Sequence, residues 1–172
     1  SRENSNILAF DLSLSSLAYA KRKIQEIAAQ NVDFLHGDIL NLNKLNKKFD
    51  IIECMGVLHH MESPIKGLKI LIDLLKPDGV LKLGLYSEIA RKHIVKLRKI
   101  ARDRKFKNNV IGIRKFREII KNHENSILKK VLISNDFYST SNVRDLIFHV
   151  KEHRFSILEI SNGEFSLFSI FF

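Results

Sequence analysis

Asp11, Asp38 and the Cys54-Met55-Gly56 group each follow a short apolar run, and each precedes a helical pattern or a polar break. In an alternating α/β chain those positions are the carboxyl ends of strands, where open sheets bind ligands. An aspartate there can accept two hydrogen bonds from a ribose diol. A second, after a neighbouring strand, can accept from an adenine amino group while Ile39 lies against the ring. The small Met55-Gly56 step lets a ligand come close to the backbone. Read singly, the same residues have plainer uses. Asp11 suits a helix N-cap, Asp38 an ordinary turn, and Cys54 a small buried side chain with no base to activate it.

The elements that must hold these residues can be read in chain order. Asn6–Phe10 reads as a strand, followed by N-cap hydroxyls at Ser13 and Ser15 and a helix with Leu14, Leu17, Ala18, Ile24, Ile27 and Ala28 inward. Val32–Leu35 is a second strand, and 41–48 a loop or short helix resting on Leu42 and Leu45. Phe49 to Cys54 reads as a buried strand of a parallel sheet. Ser63-Pro64 then opens a helix with Ile65, Leu68, Ile72 and Leu75 inward. Pro77-Asp78-Gly79 is expected to turn the chain into a strand over Val80–Tyr86. The alternation predicts a parallel sheet with helices on its faces.

After Ser87 the pattern turns helical, over Glu88–Arg104 (Ile89, Ile94, Leu97, Ile100 and Ala101 inward), Ile113–Lys121, Ile127–Ile133 and a Ser139-capped helix reaching His153 with Val150 inward. Phe155–Phe172 has strand-like composition. Charge divides the chain at the same place: residues 1–90 balance to zero, 91–130 carry +12, and 131–172 carry −2. Two domains, 1–90 and 91–172, are therefore expected. The basic segment is either a solvated helical surface or a patch for nucleic acid or an acidic partner, with only Phe106 and Phe116 as stacking groups.

One cysteine excludes an internal disulfide and fits a reducing, cytoplasmic location. No run reaches the ~20 apolar residues of a membrane span, and no signal peptide is visible. His149 and His153, four apart, could share a helix face as zinc ligands do, but no third ligand accompanies them. His59 and His60, being adjacent, cannot both face one ion in regular structure. No metal is expected.

Phe10-Asp-Leu-Ser13, Gly37-Asp-Ile39, Phe49-Asp-Ile-Ile-Glu-Cys-Met-Gly-Val-Leu-His-His60 and Leu75-Lys-Pro-Asp-Gly-Val80 resemble, in order and spacing, the motifs of class I S-adenosylmethionine-dependent methyltransferases. The resemblance covers about residues 6–87. It implies a Rossmann-like parallel sheet with S-adenosyl-L-methionine as cofactor. Asp11 would bind the ribose, Leu12 pack near the adenine, and Asp38 and Ile39 contact the adenine. Cys54, Met55 and Gly56 would line the methionine end. His59 and His60 would stand at the rim where an unidentified methyl acceptor enters; either of them, or Tyr86, could take a proton from it. The family's first strand and glycine-rich loop should precede Asn6, where only five residues stand, so an incomplete sheet and a fragment of a longer protein are expected. Phe137-Tyr-Ser-Thr-Ser141 and Phe148-His-Val-Lys-Glu-His153 resemble a carboxyl-terminal extension of bacterial members sometimes joined to tetratricopeptide repeats. Two rivals are a non-catalytic binding module using residues 91–130, and a nicotinamide dehydrogenase. The latter shares the Asp11 logic but gains nothing from the later motifs.

Overall fold

The computed structural model describes residues 5–162, which form two compact units. The first comprises the described residues up to Cys54, with Ile65–Leu83; the second comprises Met55–Pro64 and the described residues from Gly84 onward.

In the first unit, β1 (Ile7–Asp11) pairs in parallel with β2 (Val32–His36), from Ile7 opposite Val32 to Asp11 opposite His36. The crossover is α1 (Leu14–Glu26), whose N-cap is Ser13, its side chain accepting from the Ser16 N–H. Of the expected inward stripe only Leu17 is buried; Leu14 and Ile27 are exposed. The helix ends earlier than its apolar pattern, at Glu26, and Ala28 takes a positive φ of 55°. Ile39–Leu45 is a 3-10 turn that buries Ile39 and Leu42.

β3 (Phe49–Met55) pairs with β4 (Leu75–Gly84) in a second two-stranded sheet. The Phe49 N–H donates to the Leu74 carbonyl and the Gly56 N–H to the Gly84 carbonyl, so both chains advance in the same direction. More residues pass on β4 than on β3 between those bonds, and the excess is taken up where the Lys76 carbonyl comes within 3.1 Å of a Cβ position on Gly79. Pro77-Asp78-Gly79 thus lies inside the strand rather than ahead of it. β1 and β3 are not neighbours in either sheet. β3 is also less buried than its apolar run implies. Ile51 is 65% exposed and Cys54 alone is fully buried, because a strand with a single partner and one covered face shields only alternate side chains. Between these strands runs α2 (Pro64–Asp73); of its expected inward stripe Leu68 is buried while Ile65 and Ile72 are half-buried, and Pro64, Gly67, Leu71 and the Leu74 that follows the helix complete its covered side.

The second unit has the deeper core. Helices α3 (Lys92–Asp103), α4 (Val110–Lys121) and α6 (Thr140–Phe148) contribute Ile94, Leu97 and Ala101, then Ile113, Phe116 and Ile120, then Val143 and Ile147. These spacings of three and four put one face of each helix inward. Leu128 of the short α5 (Ser126–Lys129), Val131 and Phe137 complete the cluster. Phe116 meets Phe106 and Phe148 edge-on at 5.7 and 5.8 Å. Asn109, Asn125 and Ser139 cap α4, α5 and α6.

Several expected boundaries move. Helix α3 starts at Lys92, leaving Ile89 exposed, because Ser87 to Arg91 form turns in which the Ser87 hydroxyl accepts from the Ala90 N–H. Helix α6 stops at Phe148, where His149 turns extended, so Val150 is 91% exposed and His149 and His153 share no helix face. Phe155 makes one parallel bridge to Ser87, and 157–162 form a helix, α7 (Ile157–Asn162), where strand was expected. The rest of that expected strand lies outside the described residues. Among the described residues no helix is long and apolar enough to cross a membrane.

Candidate functional site

Asp11 ends β1 beside His36, its register partner. Its Oδ1 accepts the Ser13 N–H at 2.7 Å, and the Ser13 hydroxyl accepts the Ser16 N–H at 3.2 Å, so the carboxylate shapes the turn and the serine caps the helix. The His36 Nε2–H donates to the Leu12 carbonyl at 2.9 Å and ties the turn to the end of β2. That contact was missed in the sequence, where His36 closes the strand with no partner in view. Leu12 itself is 66% exposed. Asp38 opens the 3-10 turn, its Oδ1 accepting the Leu40 N–H at 2.9 Å, and Ile39 is 7% exposed. Both aspartates therefore perform the plain turn role through Oδ1. Neither Oδ2 has a hydrogen bond among the described residues.

After β3 the chain leaves through Gly56, whose φ of +76° favours glycine and whose absent side chain leaves open space. Met55 is half-exposed and Cys54 buried. A 3-10 turn at Leu58–His60 follows, with Leu58 and His59 buried. The His59 ring stacks on Tyr86 at 3.5 Å, and the Arg91 guanidinium lies 3.6 Å from the centre of the Tyr86 ring. Neither nitrogen of His59 has a hydrogen-bond partner among the described residues; the Gly84 backbone influences the ring without meeting bonding geometry. Burial first, then the charges of His60 and Arg91, push its pKa down to about 4, so the ring is neutral. Burial likewise raises the Tyr86 phenol. His60 is half-buried and lies 3.9 Å from the ring of His149.

Beside this cluster stands a group no local pattern announced. Glu152, with 1% of its side chain exposed, receives Arg91 through Nε and Nη2 (3.1 and 2.7 Å), Arg98 through Nη1 (2.9 Å) and Arg154 (3.4 Å). Burial alone would raise its pKa; the three guanidiniums outweigh that and lower it. Arg117 donates to the Tyr138 carbonyl and the Thr140 hydroxyl. Three arginines of the basic segment are thus engaged within the protein.

The model of the methyltransferase-domain family matches residues 1–133. The chain is a class I S-adenosylmethionine-dependent methyltransferase domain. Over 92 residues it is 37% identical to an uncharacterised protein of Synechococcus, covering 53% of this chain and 22% of that protein. It is 30% identical over 88 residues to the mitochondrial ubiquinone biosynthesis O-methyltransferase of Schizosaccharomyces pombe (50% and 32% covered), and 38% identical over 78 to a tRNA U34 carboxymethyltransferase of Campylobacter fetus (45% and 27% covered). In fold it is similar to PKMT2 of Rickettsia typhi, with a TM-score of 0.73 at 19% identity over 93% of this chain and 33% of that one. The complex of that protein with AdoHcy gives 0.66 at 20%, over 89% and 32%. The methyltransferase domain's alignments span between about a fifth and a third of the length of these relatives.

Proposed function

We propose that the protein carrying this domain transfers the sulfonium methyl of S-adenosylmethionine to a nucleophilic oxygen, nitrogen or carbon of an acceptor still to be identified, in the cytoplasm. The observation that carries the reading is the pair of strand-end aspartates, each holding its own turn with Oδ1 and keeping Oδ2 free. Two such oxygens suit a ribose diol at Asp11 and an adenine amino group at Asp38. Ile39 and Leu12 would flank the adenine, and Cys54, Met55 and the open backbone at Gly56 would line the methionine end. Transfer of this kind depends on in-line placement, and a base is needed only for a protonated nucleophile. His60 and Tyr86, both half-buried, are the candidates for that base, whereas His59 would require the acceptor to reach a buried ring.

Calorimetry with S-adenosylhomocysteine on the full-length protein tests the reading. Asp11→Ala and Asp38→Ala should each weaken binding about 10- to 100-fold, the worth of one charge-assisted hydrogen bond. Unchanged affinity in both variants would remove it.

A further inference from the structure

His60, from the turn after β3, and Asp145 and His149, four residues apart at the end of α6, meet on the second unit. One ligand atom from each lies within 4.8 Å of the other two. The imidazoles are oriented by a shared partner: His60 Nδ1 stands 3.1 Å and His149 Nδ1 2.7 Å from the backbone carbonyl of Lys151. A carbonyl only accepts, so each ring donates its Nδ1–H there, and each neutral ring then carries its lone pair on Nε2. That is the arrangement in which a histidine binds a metal, with one nitrogen fixed by a carbonyl and the other free to coordinate. Asp145 adds the carboxylate. The Lys151 ammonium is paired with Glu62 at 2.9 Å, and Arg98, which donates to the His149 carbonyl, has its charge met by Glu152.

We propose that His60, Asp145 and His149 form a two-histidine, one-carboxylate site for a divalent transition metal of the zinc type. Zinc bonds of about 2.1 Å in a tetrahedron set ligand atoms about 3.4 Å apart. The candidate ligand atoms, one ring nitrogen or carboxylate oxygen per residue within 4.8 Å of one another, stand wider than that, and the half-buried and exposed side chains that carry them would close the gap on binding. Two imidazoles and one carboxylate select zinc, cobalt or iron over magnesium and calcium. Three protein ligands leave at least one coordination position for water or for an oxygen or nitrogen ligand. The expectation of no metal weighs His59 with the adjacent His60, and His149 with His153 without a third ligand. The fold instead uses the N–H of His153 on the His59 carbonyl and brings His60 to His149.

The test is titration of chelator-stripped, tag-free full chain with Co2+ and then Zn2+, without cofactor, so that its outcome is separate from that of methyl transfer. One equivalent of Co2+ should give saturable visible absorption, displaced by Zn2+ but not by equal Mg2+. His60→Ala and His149→Ala should each weaken Zn2+ binding at least about tenfold, and Asp145→Asn should weaken it, while His153→Ala leaves it unchanged. In the unmodified protein, Zn2+ should shift the imidazole resonances of His60 and His149 but not those of His36 and His123, a reading independent of whether any variant folds. Absence of one-to-one binding, equal loss in His153→Ala, or shifts confined to other histidines would overturn the site.

Discussion

Replacing Glu152 with glutamine should show how much of the second unit depends on one buried charge. The carboxylate takes four hydrogen bonds from three arginines, and its own side chain is 1% exposed. Charge-assisted bonds are worth roughly 1.5–3 kcal/mol each, but they do not add here. Arg91 and Arg98 are 12% and 18% exposed and cannot fully rehydrate, whereas Arg154, at 33% and 3.4 Å, contributes little. Stripping one partner from such a group costs about 3–5 kcal/mol, and the amide keeps one acceptor oxygen, so about 3 kcal/mol is expected. For a domain of this size that lowers Tm by roughly 6–12 °C. The pH dependence carries a sign. Glu152 has a folded pKa below the ordinary glutamate value of 4.5, so its stabilisation is complete above that value and disappears as pH falls through the folded one. Thermal unfolding followed by far-ultraviolet circular dichroism should show a gap between wild type and Glu152→Gln that is widest near pH 7 and narrows below pH ~4.5. A gap under about 0.5 kcal/mol at pH 7, the size of an ordinary surface substitution, would refute the reasoning, as would one that persists unchanged into acid.

Three further outcomes follow from named contacts. Gly112→Ala should destabilise by about 1–3 kcal/mol, although alanine normally favours a helix, since its Cβ would lie 2.1 Å from the Lys107 carbonyl oxygen; a rise in Tm would contradict this. His59→Phe, in chelator, should flatten the loss of stability that wild type shows as pH falls from 6.5 toward 4, up to about 3 kcal/mol, because only the unfolded histidine gains a proton over that range; an unaltered slope between pH 7.5 and 5 would exclude His59 as its source. Hydrogen exchange should be slower at the inward face of α3, α4 and α6 than in β1 and β2, and equal protection would argue against unequal cores.

What the sequence shows follows from the range over which its patterns act. Strand, turn and cap are short-range, so β1, β2, the Ser13 cap and the helical stripes of α3 and α4 were legible from neighbouring residues. Periodicity alone does not say how many partners a strand has, so Ile51 reads as buried from its apolar run and is exposed. Nor did it reveal that α6 ends at Phe148, because His149 leaves the helix to donate to the Lys151 carbonyl and Arg98 takes its own. The strand-end aspartates were visible because their setting is local. Arg91 and Glu152 lie far apart in the chain, as do His60 and His149, and no spacing rule connects such pairs before the fold does.

The two units also differ in how deep their cores run. The buried apolar residues of the first, such as Leu17, Ile39, Leu42 and Cys54, keep 7–8% exposure and Leu68 reaches 2%, whereas Leu97, Ile113, Phe116, Ile120, Phe137 and Val143 of the second are fully enclosed. Two-stranded sheets are marginal alone, and the first unit contains two of them, with the strand-end aspartates at the edge of one. A cofactor held by Asp11 and Asp38 would therefore bind where the chain is least stable by itself, and binding energy there would go partly into ordering the strands. The helical unit has no such debt, so its buried histidine and paired charges can hold their geometry without a ligand.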